Sequence, residues 1–156
     1  MSTVTDLFAL RTHPSAGVGA KPDESDEIAT LALDLLKEII HIGDAGPGAP
    51  NAWRLGDSYA RGYVFGFVCA LLQQDGIADK ARALELITFV HVGLFGTISG
   101  PRFAALSLSD QVSDQAFDRG QIAGATDILR WLSDRETLPL LLADYLHGRN
   151  LRAGTE

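Results

Sequence analysis

One cysteine and three lysines are all that the 156 residues contain of two otherwise ordinary residue types. The lone Cys69 cannot close an internal disulfide, and without further cysteines a thiolate zinc site is excluded. Its apolar neighbours suggest a buried, unreactive thiol. Lys21, Lys37 and Lys80 stand far apart, and the arginines form no basic cluster. With a formal charge of −7 and a pI near 5.0, the chain lacks the basic face that sequence-independent nucleic-acid binding needs.

Other absences narrow the function further. No charged start followed by a sustained apolar run marks a secretory leader, and the apolar-rich stretch 86–98 is short for a membrane span and carries His91. A cytoplasmic protein is expected, with neither membrane nor nucleic acid as partner. No serine sits in a nucleophile elbow. "GDAGPGAPN" lacks the Lys-Ser/Thr that completes a phosphate-binding loop, and it follows no strand. Catalytic residues and cofactors are therefore expected to be none, and enzymatic activity is not evident. Glu38-x-x-His41 has the spacing of the carboxylate–histidine motif of di-iron bundles. The position that would match it before His91 is Thr88, so no metal site is expected either.

Period-two alternation is missing too, so no strand is expected. What remains is helical. Residues 1–22 read as an irregular N-terminal segment with a short helix near 5–11, and 151–156 as a tail. A single all-helical domain is expected over 23–150. Its helices cover 23–40, 57–74, 79–100, 111–132 and 136–148, the third stopped by Gly100-Pro101 and the last with Pro139 in its first turn. The loop 101–110 is given one helical turn at most, and the Gly/Pro-rich linker 44–56 none.

A repeat runs through this pattern. "YARGYVFG" and "FDRGQIAG" both write Arg-Gly-x-x-x-Gly, as Arg61-Gly62/Gly66 and Arg119-Gly120/Gly124. Each follows an aromatic residue and, earlier, a His-x-Gly and a Gly-Pro in the same order. Chance supplies the six-residue pattern only about a tenth of a time in such a chain. The expected fold is thus a bundle of about five helices built from a duplicated helix-loop-helix unit, with repeat 1 over 23–76 and repeat 2 over 79–134, related by a pseudo-two-fold axis. An interior glycine costs on the order of 1 kcal/mol relative to alanine. Gly62, Gly66, Gly120 and Gly124 are therefore expected to serve close helix packing.

Two functional expectations follow. Helices with little polar face need cover, so a self-associating protein-interaction module, a homodimer with room for a protein partner, is the first. The alternative is a binder of, or enzyme acting on, a small anionic ligand at the pseudo-axis, using Arg61, Arg119, His41 and His91 with Tyr59 and Tyr63 as walls.

Overall fold

The computed structural model describes residues 22–43, 52–110 and 114–148. Among them the chain is all-α, with helices α1 (Pro22–Ile42), α2 (Ser58–Gln74), α3 (Lys80–Asp110), α4 (Gln115–Ser133) and α5 (Leu141–Leu146), and a 3-10 turn over Ala52–Gly56. That turn lies inside the stretch expected to hold no helix. The short helix near 5–11, the Gly46-Pro47 landmark and the tail lie outside the described residues.

Helix α2 is the centre because its sequence leaves it no other place. Its residues from Ala60 to Phe67 are buried on every side, as an all-round apolar helix must be. Both of its ends are written in the sequence. Asp57 accepts a hydrogen bond from the Ala60 N–H at 3.0 Å and caps the start. At the other end Gly76 takes a φ of 76°, with Ile77 N–H donating to Leu72 O and Gly76 N–H to Gln73 O. That pair of bonds is the Schellman arrangement, and the left-handed backbone is why glycine stands there.

Helix α4 lies alongside α2, and the two run parallel. A Cβ added to Gly62 would overlap the carbonyl of Phe117, one on Gly66 that of Gln121, one on Gly120 that of Tyr59 and one on Gly124 that of Tyr63. Each overlap is with backbone and far inside 3.0 Å. The partners advance together along both helices, which fixes the parallel sense. They are also reciprocal: shifting every number by 58 turns the first two contacts into the last two. Parallel neighbours need a long return path between them, and α3 supplies it.

The third helix departs most from expectation. It does not stop at Gly100-Pro101 but continues to Asp110, broken at Gly96, where φ is 91° and ψ is 173°. The limbs 80–95 and 97–110 turn so sharply on each other at this point that Gly100 rests on the backbone of His91 and Val92. Phe95 and Phe103 meet edge to face across the bend, with ring centroids 4.9 Å apart. Glycine thus turns the chain four residues before the expected stop, and Pro101 sits inside the second limb, where the carbonyl it leaves unbonded belongs to exposed Thr97. By length and composition α3 is the one helix among the described residues that could cross a membrane. Its limbs, at 1.5 Å per residue, are each shorter than the ~30 Å of a hydrocarbon core. Helix α1, its counterpart in the expected repeat, runs unbroken.

Helix α5 begins after Pro139, rather than with it in the first turn, and closes the bundle from the side. Ala143 and Leu146 pack on Gly43 at the end of α1. Ile28, Leu36, Tyr63, Phe67, Leu71, Leu86, Phe117, Ile128, Leu142 and Leu146 are the large side chains at the heart of the core.

Candidate functional site

Four groups of polar side chains are drawn in by these helices. The first lies on the seam. Tyr63, wholly buried, donates its hydroxyl to Asp127 Oδ2 at 2.6 Å, and the Leu141 N–H donates to the same oxygen at 3.0 Å. Asp127 thereby joins α2, α4 and the start of α5. Burial raises its carboxyl above the ordinary range, opposed by the two bonds it accepts, and burial beside it pushes the Tyr63 hydroxyl well up. The sequence offered a signal for Asp127. Phe117, Gly120, Gly124, Asp127, Ile128 and Trp131 share one buried helical stripe, so a carboxylate stands in an otherwise apolar row.

A second group surrounds Tyr59. Its ring stacks on Tyr145 with centroids 4.3 Å apart, and the Tyr145 hydroxyl donates to Asp57 Oδ2. Arg54 donates to the Tyr145 carbonyl at 3.0 Å and lies over the Tyr145 and Trp53 rings. Burial raises the pKa of Tyr59, and burial and then the Asp57 bond raise that of Tyr145. Neither tyrosine is an acid at neutral pH, so this group clasps the 3-10 turn to α5 rather than poising a proton.

Arg61 heads the third. It is 8% exposed. Its Nε donates to the Gly56 carbonyl at 3.3 Å, one terminal nitrogen reaches Ser58 Oγ at 3.4 Å, and the guanidinium stands over Phe103. Ser58 in turn bonds Asp114, whose carboxyl caps α4 through Phe117 N–H and is held below the usual range chiefly by the Ser58 bond. Arg61 thus ties the start of α2 to the start of α4. Arg119 is exposed on α4, near enough to Tyr59 to favour its anion. The two arginines occupy unlike surroundings, one interior and one at the surface.

The fourth holds the histidine inside α3. His91 is fully buried, and its Nδ1–H donates to the Ile87 carbonyl at 2.8 Å. That bond fixes the tautomer and leaves Nε2 as an acceptor, without a partner among the described residues. Ser107, on the other limb, is equally buried, and its hydroxyl is likewise unpartnered. Burial, and secondarily the Arg61 charge, lowers the pKa of His91. Helix α1 meets this limb with Leu33 at Gly93. His41, by contrast, is exposed at the end of α1 beside exposed Glu38. The structure does not gather the two histidines into one site.

A pH effect follows from His91. The unfolded chain protonates it near the ordinary histidine value of about 6.5, whereas the folded chain does so only at lower pH. Its contribution is therefore complete above about pH 6.5 and is lost as pH falls toward the folded value, at up to about 1.4 kcal/mol per pH unit. Urea unfolding at pH 7.5 and 5.5 should show a smaller acid loss in His91→Leu than in the wild type. Equal losses in both would assign the effect to other groups.

Cys69 is half-buried, and burial pushes its thiol up to about 11, so thiolate is scarce at neutral pH. Outside these groups, both limbs of α3 carry apolar side chains in the open: Leu84 and Phe89, at 48% exposure, on the first, and Ile98, at 88%, and Leu108 on the second. Comparison of the chain with protein-family models, with curated proteins and with solved structures finds no match.

Proposed function

We propose that this chain is a self-associating helical interaction module, and that the exposed apolar side chains of α3 are where a second copy docks. One observation carries the reading: the helix with the longest apolar run keeps Phe89 and Ile98 at the surface rather than in the core. Large apolar side chains left in the open gain from cover. Charge argues for a second copy as the cover. The chain carries −7 overall, yet 86–101 contains no Asp, Glu, Lys or Arg. Two copies can therefore approach there without setting like charges against each other.

The pseudo-two-fold and the duplication behind it belong to the same reading. Their support is the reciprocity of the glycine contacts under a shift of 58 residues. A unit that already packs against its own copy within one chain has the small-residue surfaces suited to doing so again. The alternative, an anion held between Arg61 and Arg119, has one guanidinium indoors and one in solvent, and is the weaker reading.

Light scattering over a concentration series tests the module. For protein that has not been unfolded and refolded, the expected result is a dimer that dissociates on dilution in the wild type and a monomer in the Phe89→Glu/Ile98→Glu double variant, with unchanged circular dichroism. A wild-type monomer at every concentration would contradict the proposal.

A further inference from the structure

All of α3 has helical backbone except Gly96, whose φ of 91° and ψ of 173° fall in a region open essentially to glycine alone. That residue is the entire connection between the two limbs. It also divides the chain into two parts, one holding α1, α2 and the first limb, the other holding the second limb, α4 and α5. The interactions that close the bundle run between these parts. They include the four glycine contacts of α2 with α4, the Tyr63–Asp127 and Tyr145–Asp57 hydrogen bonds, and Gly43 against Ala143 and Leu146. Every one of them could be made equally well with the corresponding part of another molecule.

If Gly96 becomes helical, α3 is a single rod about 46 Å long at 1.5 Å per residue. The two parts of one chain then stand too far apart to meet, and each must find its complement on a second chain. Straightening imposes nothing new at Pro101, which already lies within a helical limb. It releases the glycine-only conformation and forms the helical bonds that the bend interrupts. A very short hinge under conformational constraint is the arrangement that favours exchange between copies.

We infer that the chain forms an exchanged dimer, in which Gly96 straightens and the second limb, α4 and α5 of each copy pack on α1, α2 and the first limb of the other. This goes beyond docking through the exposed side chains of α3 and does not rest on it. The partner is a second copy of this chain, and the interface is the bundle's own interior.

Gly96→Ala tests the inference, because a Cβ there meets nothing within 4 Å and the alanine acts through backbone conformation alone. It penalises the bent form and favours the straight one. After refolding at a fixed concentration, the ratio of dimer to monomer should rise about a hundredfold, about tenfold for each of the two hinges relieved. The isolated dimer should remain a dimer on dilution, since separating the copies requires unfolding them. A face-to-face dimer would re-equilibrate instead, so adding Phe89→Glu and Ile98→Glu should leave the exchanged species intact. A folded Gly96→Ala monomer, or a dimer that dissociates on dilution, overturns the inference. Should the variant not fold, wild-type protein refolded at high concentration decides. A dimer that persists on dilution supports exchange, and its absence overturns it.

Discussion

Gly124→Ala should cost about 3 kcal/mol or more, and Gly66→Ala with Gly124→Ala together should abolish the cooperative thermal transition. The reason lies in what the new methyl group would strike. At Gly124 it overlaps the Tyr63 carbonyl and at Gly66 the Gln121 carbonyl, and backbone in the middle of a packed helix cannot rotate away as a side chain can. The whole α2–α4 pair must separate, pulling Tyr63 off Asp127 and loosening Phe117 and Ile128. Overpacking in yielding surroundings costs about 1–3 kcal/mol; here nothing yields, and domains hold only about 5–15 kcal/mol in total. Gly93→Ala is the contrasting case. Its methyl would meet the end of the Leu33 side chain, which can change rotamer, so a loss within about 1 kcal/mol is expected, part of it returned by alanine's helix propensity of about 1 kcal/mol. Thermal melts by circular dichroism separate the two outcomes. A Gly124→Ala protein melting within a few degrees of wild type would refute the close seam.

Asp127→Ala should be nearly as damaging, and Asp127→Asn nearly silent. Alanine strands the buried Tyr63 hydroxyl and takes away the same oxygen from the half-buried Leu141 N–H. A buried group left unsatisfied costs about 1–3 kcal/mol, so a loss of about 2–3 kcal/mol is expected, most of it from the Tyr63 hydroxyl. Asparagine keeps an oxygen in that place and removes a charge that burial disfavours, so its effect should stay within about 1 kcal/mol. The sign of the pH response agrees. Because the folded carboxyl titrates above its ordinary value, ionised Asp127 opposes folding at neutral pH, and this opposition fades as pH falls through the folded value. Urea midpoints for the two variants at pH 7 provide the check. An Asn variant as weak as the Ala variant would mean that the negative charge itself, not the acceptor, holds the junction.

The sequence carried more of the fold than of the site. Asp57, Gly76 and the twelve buried residues of α2 made that helix legible from its first capping residue to its last turn, because caps and all-round apolarity act locally. Glycines spaced four apart on two helices foretold close packing for the same reason: each states a local cost that only a neighbour can justify. Gly96 misled. A glycine inside a helical pattern does not say whether it bends the chain, and Gly100-Pro101 four residues later gave the louder stop signal. The polar groups were harder still. Tyr145 meets Asp57 across 88 residues and Tyr63 meets Asp127 across 64, and no spacing rule spans such distances. His41 and His91 occupy matching places in the expected repeat, yet one is exposed at the end of a helix and the other is fully buried. Equivalent letters do not guarantee equivalent surroundings once α3 bends and α1 does not.

Running α2 and α4 in the same direction has an electrostatic corollary. Their amino ends lie together, bridged by Ser58 and Asp114, so the positive poles of two peptide macrodipoles face the same small region, joined there by the Arg61 guanidinium. Antiparallel neighbours would have cancelled one another; these add. Asp57 and Asp114 are thus more than hydrogen-bond acceptors for the first turns of their helices. They are the local counter-charges that let three like fields share one corner of the molecule.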